Sequence, residues 1–172
     1  MHRIFAGMAL WAGLLFSALV ILGFLAQKDG SPQQQALLTV HLITGVITAI
    51  YVSILHVMVM FHFIGSGKEM KEALEVLGGD AEVIQRLRRL KMQVMPSATF
   101  APMLFGAGVI LGGGAHTGTL PGWVHWSLGG AGILLNLYAF PIEYRCLVAN
   151  LELLREVDEK VRREISPGLF HE

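Results

Sequence analysis

Four stretches of this chain carry no charged side chain: residues 4–26, 35–64, 92–113 and 121–142. Crossing the ~30 Å hydrocarbon core of a bilayer takes about 20 apolar residues in helical form, and each stretch is long enough. Backbone groups in lipid must be satisfied within the structure that spans it, which favours helices for runs of this length. The composition agrees. Charged residues make up 15% of the chain, against about 25% in a soluble domain. Twenty glycines fit as well, because glycine is commoner in membrane helices than in soluble ones. The first stretch exceeds the ~7–15 apolar residues of a signal peptide and no A-x-A site follows it. It is therefore read as a span. The predicted fold is an all-α membrane protein, a four-transmembrane-helix up-down bundle forming one integral membrane domain over residues 1–172.

The connectors set an expected orientation. Residues 65–91 hold Lys68, Lys71, Arg86, Arg88, Arg89 and Lys91, and the C-terminal segment holds Arg145, Arg155, Lys160, Arg162 and Arg163. The connectors 27–34 and 114–120 hold only Lys28. The positive-inside rule then puts both termini and the long connector in the cytoplasm, and the expected location is a bacterial inner membrane. "GKEMKEALEVL" and "DAEVIQRLRRLKM" read as amphipathic helices split by "GGD". They predict a cytoplasmic helical hairpin between helices two and three, with Asp80 as an N-cap. "LELLREVDEKVRREI" predicts a cytoplasmic extension of helix four, solvated or facing a membrane or cytoplasmic protein subunit.

The second stretch contains three histidines, which are costly inside a membrane. At ~100° per residue, His56 and His62 fall within about 60° of His41, and Thr44, Gly45 and Thr48 share the sector. Ile43, Ile47, Ile50, Ile54 and Phe61 occupy the other side. Ionisable groups within a membrane usually face the bundle interior, so these imidazoles are expected to point inward. The fourth stretch repeats the pattern. His125, Gly129, Gly132, Asn136, Glu143 and Asn150 share one narrow stripe, on which the glycines give room for a neighbouring helix or a flat ligand.

In up-down order helices two and four run parallel. At ~1.5 Å per residue, His41 and His125 then sit at nearly equal depth near the outer face, with His56, His62 and Glu143 near the inner one. His116 is placed to join the outer layer. Haem iron takes axial imidazoles, and helix bundles build cofactor sites from side chains on facing helices. The outer pair His41 and His125 therefore reads as a candidate haem b ligand pair, with Gly45, Gly129 and Gly132 making space. His56 is a candidate ligand of a second haem. His62 and Glu143 are candidate proton or quinone partners. Two other readings stay open: interhelical hydrogen bonds alone, or zinc or copper bound by histidine and glutamate.

Further sequence features narrow the classes. Met92, Met95, Thr99, Met103 and Gly106 share a face of helix three and read as packing. Trp123 and Trp126 read as interfacial anchors. The formal net charge is zero, so nothing draws the chain to nucleic acid. The single cysteine, Cys146, excludes an intrachain disulfide and a CxxC motif. "GAGVILGGG" lies inside a span, where a phosphate loop has no strand to follow.

The His41-to-His62 helix, "RRL", a proline-bearing span and "WVHW" opening the last helix together resemble HemJ, a membrane protoporphyrinogen oxidase family that binds haem b. The likeness covers roughly residues 41–147. A whole span precedes the His-bearing helix here, and Ser127 stands where a lysine is expected in that family. The resemblance implies a haem-binding four-helix bundle. The resulting expectation is a cytochrome b-like electron-transfer protein that interacts with quinone. The alternatives are a non-catalytic accessory subunit of a larger membrane complex, or a HemJ-like porphyrinogen oxidase.

Overall fold

The computed structural model describes residues 1–26 and 31–165, and Lys28 lies outside them. Among the described residues the chain is entirely helical: α1 His2–Leu25, α2 Pro32–Val76, α3 Ala81–His116 and α4 Gly122–Ile165. Three of them, α1, α2 and α3, are long and apolar enough to cross a membrane. The remaining helix, α4, is 44 residues long. Its apolar half is diluted by His125, Asn136 and a run of glycines.

The helices begin and end where local chemistry allows. Pro32 occupies the first turn of α2, where its missing N–H costs nothing. Gly78 and Gly79 both adopt positive φ after α2, and the Gly79 N–H returns to the Leu74 carbonyl at 2.8 Å. Asp80 then caps α3, its Oδ1 accepting from the N–H groups of Glu82 and Val83 at 3.0 and 3.1 Å. The expected N-cap is in place. The two amphipathic helices of the long connector are not separate elements, however. They are the last turns of α2 and the first turns of α3. Nothing in "IGSGKEM" breaks the helical ladder: Ser66 and Gly67 are buried against neighbouring helices, and packing outweighs the weak helix propensity of glycine. Likewise, α4 continues unbroken through the charged tail segment to Ile165.

Two apolar cores result. The larger gathers Phe5, Phe16, Val52, Leu55, Val59, Phe63, Val94, Phe105, Phe140 and Leu147 from all four helices. The smaller packs Met70, Leu74, Val83, Leu87, Leu153 and Val157 from the extensions of α2, α3 and α4. Arg86 reaches Glu156 at 2.6 Å, and Lys160 reaches Asp80 at 2.8 Å, on the rim of the smaller core. The outer face of α2 is Ile43, Ile47, Ile50, Ile54, Val57 and Phe61, all exposed, as the helical pattern predicts. Met92 and Met103 are also exposed, so the methionine face of α3 packs inward only at Met95.

Helices α3 and α4 pack backbone against backbone at two points. A Cβ on Gly132 would lie 2.6 Å from Phe105 Cα, and one on Gly108 would lie 2.8 Å from Gly129 Cα. Backbone meets backbone at both places, which glycine alone permits. Gly132 therefore serves this packing and does not open space for a ligand, contrary to expectation.

Candidate functional site

His41 and His125 come together as their matched depth predicts. Their ring centroids are 6.1 Å apart and their planes nearly perpendicular, at 87°. Both line one cavity of about 400 Å³, with Gly23 and Leu19 of α1, Gly45 of α2, Gly108 and Gly112 of α3, and Gly129 and Trp126 of α4. That volume lies within the ~300–1,000 Å³ usual for ligand pockets. His116 borders the same cavity. Trp126 lines it too, with Phe24 packed on its ring at a centroid distance of 5.2 Å.

Glycine seats both rings. A Cβ on Gly112 would lie 2.9 Å from Cε1 and Nδ1 of His125, and one on Gly23 would lie 3.2 Å from Cε1 of His41. His125 Nδ1 is 2.9 Å from the Gly108 carbonyl oxygen. A carbonyl accepts, so Nδ1 carries the proton and Nε2 keeps its lone pair. Among the described residues nothing bonds that Nε2. This is the arrangement that orients a ligating histidine: one ring nitrogen held by a backbone carbonyl, the other bare. His41 is half-buried, and its buried Nδ1 has no hydrogen-bond partner. The pair therefore offers two imidazoles with uncommitted nitrogen atoms, beside a glycine-lined space.

Two imidazoles on one cavity are a donor set shared by metal and haem sites. Two imidazoles sharing one metal ion from opposite sides, with bonds of ~2.0–2.1 Å, have centroids about 6 Å apart. An ordinary edge-to-face contact also falls in this range. Among the described residues no group of three or more His, Cys, Asp or Glu side chains converges as for a bare metal ion. Structural zinc takes four protein ligands and catalytic zinc three. Haem fills four positions with its own nitrogens and needs only two from protein.

The inner residues divide differently from the sequence expectation. His56 is fully buried, with Nδ1 2.8 Å from Glu143 Oε1 and Nε2 2.8 Å from Asn136 Oδ1. Both ring nitrogens are committed, so His56 is not placed to ligate a second haem or a metal ion. Its ring stacks on Phe140, centroids 5.6 Å apart. Glu143 is likewise fully buried and serves as the partner of His56. His62 is half-buried, 3.4 Å from Asn150 Nδ2. Asn150 also donates to Ser66 Oγ at 2.9 Å.

Asn136 and Asn150 lie on the polar stripe that periodicity predicts for α4, but their partners are distant in sequence. Gly23, Gly108 and Gly112 carry no such signature, because a glycine that seats a ring on another helix leaves no local signal. No family model, curated protein or solved structure matches this chain.

Proposed function

We propose that this protein is a haem b-binding membrane electron-transfer protein, with His41 and His125 as the axial ligands. The observation that carries the reading is the pair itself: two imidazoles from different helices on one glycine-lined cavity, with His125 fixed by Gly108 so that Nε2 is bare. Haem would supply reversible one-electron chemistry. The chain's own part is to hold the rings, through Gly23, Gly108 and Gly112, and to keep the site apolar through Leu19, Val109 and Trp126.

The same reading takes α4 as a fourth span in an up-down bundle. The extensions of α2, α3 and α4, with both termini, lie in the cytoplasm of a bacterial cell, where their basic residues favour the inner side. A quinone serves as electron partner near His62, the inner histidine that is half-exposed.

Haem content of the full-length protein, purified in mild detergent, tests the proposal. One haem b per chain is expected, with loss in His41→Ala and His125→Ala. A colourless protein that copurifies with larger membrane subunits would contradict it and favour a packing-only accessory subunit.

A further inference from the structure

The inner polar groups form a ladder. Asn136, Glu143 and Asn150 recur every seventh residue on α4, and all three are fully buried. They face His56, His62 and Ser66 of α2. Ionisable groups in such surroundings are expensive and commonly mark proton or ion paths.

Hydrogen bonding fixes where the protons are. Asn136 Nδ2 donates to the Ala101 carbonyl at 2.9 Å and to the Gly132 carbonyl at 2.7 Å. Both of its N–H groups are spent, so Oδ1 faces His56 and must accept from Nε2–H. His56 Nδ1 and Glu143 Oε1, 2.8 Å apart, then share a single proton. The pair is either a carboxylic acid donating to a neutral imidazole or a carboxylate beside an imidazolium. Glu143 Oε2 is buried without a partner. In the ion pair that oxygen carries part of a buried negative charge with no donor, whereas in the acid it is a bare carbonyl. In both states one proton lies between Oε1 and Nδ1, and Oε2 is left to take another.

A second unpaired acceptor stands on the next rung. Asn150 Oδ1 is buried without a partner, about 10.5 Å further along the helix axis at ~1.5 Å per residue. Beyond it is His62. Two orphaned acceptors on consecutive rungs call for O–H donors, and water is the donor of suitable size for buried polar groups.

We propose that this ladder is a proton path ending in a buried proton store, the His56–Glu143 pair. Protons enter past His62, travel on water between Asn150 Oδ1 and Glu143 Oε2, and reach the pair. A proton accepted at Oε2 leaves Glu143 a carboxylic acid, with the shared proton on His56 Nδ1. The pair gains one proton and one positive charge, and the reverse step returns both. No electron moves and no bond between heavy atoms changes. Other ionisable groups act on the two ends. The Met1 amine and Glu69 are within electrostatic reach of His62, and Cys146 is within reach of Glu143. The Cys146 thiol is engaged with Gln93 of α3 at 3.4 Å. The proposal gives Glu143 and His62 a defined task and does not rest on the haem reading, because none of these groups borders the outer cavity.

Infrared spectroscopy of the full-length protein in lipid nanodiscs is the test. As pH falls and the store fills, the wild type should show a protonated-carboxyl C=O band that is absent from Glu143→Gln. In D2O the band should shift, and the shift should be markedly slower in Asn150→Leu and in His62→Phe. The half-exposed position of His62 makes the second variant tolerable to the fold if the first is not. Absence of a protonated-carboxyl band in the wild type would overturn the proposal. A D2O shift as fast in the folded variants as in the wild type would overturn the path.

Discussion

The Nδ1 of His125 lies 2.9 Å from the carbonyl oxygen of Gly108 on the neighbouring helix. That bond decides which nitrogen the ring offers to a ligand. It exists because α3 and α4 meet backbone to backbone at Gly108 and Gly129, which brings a main-chain carbonyl within reach of a side chain.

Gly112→Val should therefore act on the ring before it acts on the fold. Its Cβ would crowd Cε1 and Nδ1 of His125, and an imidazole can swing aside where a backbone cannot. Loss of bound haem is expected, with thermal unfolding little changed from that of haem-free wild type.

Gly132→Ala should do the opposite. Its Cβ meets the backbone of Phe105, so the helices must separate. Overpacking of this kind costs about 1–3 kcal/mol, measurable as a lowered unfolding midpoint. Gly106 faces open space, and Gly106→Ala should be neutral or stabilising by up to about 1 kcal/mol, since alanine is the better helix former.

Glu143→Leu should destabilise by about 1–3 kcal/mol, because His56 Nδ1 loses its buried partner. The double variant His56→Leu/Glu143→Leu should cost less than the two single changes added together, since no half-pair is left at that position. A denaturant series on the four proteins reads the coupling.

The turn joining α2 and α3 should loosen at acid pH. Lys160, then the Val83 N–H, hold the Asp80 carboxyl below its ordinary range. Lys160, then Arg86, do the same for Glu156. A carboxylate with a lowered folded pKa stabilises fully above its unfolded pKa of about 4 and loses that contribution as pH falls through the lower folded value. Lys160 is held above its ordinary range, first by Asp80 and then by Glu156. Its contribution is complete below the unfolded pKa of about 10.4 and is lost as pH rises through the raised folded value. Hydrogen-exchange protection of residues 77–83 should fall below about pH 4. Asp80→Asn keeps a capping side chain and should flatten the acid limb attributable to Asp80.

How much of this was legible in the sequence follows from the reach of each signal. Helical periodicity is local, so the inward stripes of α2 and α4 and the lipid-like face of α2 could be read directly. Equal spacing from the span ends brought His41 and His125 to one depth. Asp80 announced its cap because capping needs a short polar side chain just before an apolar pattern. Gly132 was misread because a stripe of small residues looks alike whether it faces a ligand or a helix, and the backbone of Phe105 decided it. His56 was misread because its partners are 80 and 87 residues away in sequence. The continuity of α2 through "GSG" was hidden for the same reason: contacts from α3 and α4 override the local weakness of glycine.

The optical spectrum of the reduced and oxidised full-length protein, compared among wild type, His41→Ala and His125→Ala, tests the central claim most directly. Six-coordinate, low-spin haem b in the wild type, with either substitution abolishing that state, is the predicted result. A wild type without haem, or a low-spin spectrum that survives in both single variants, would contradict it.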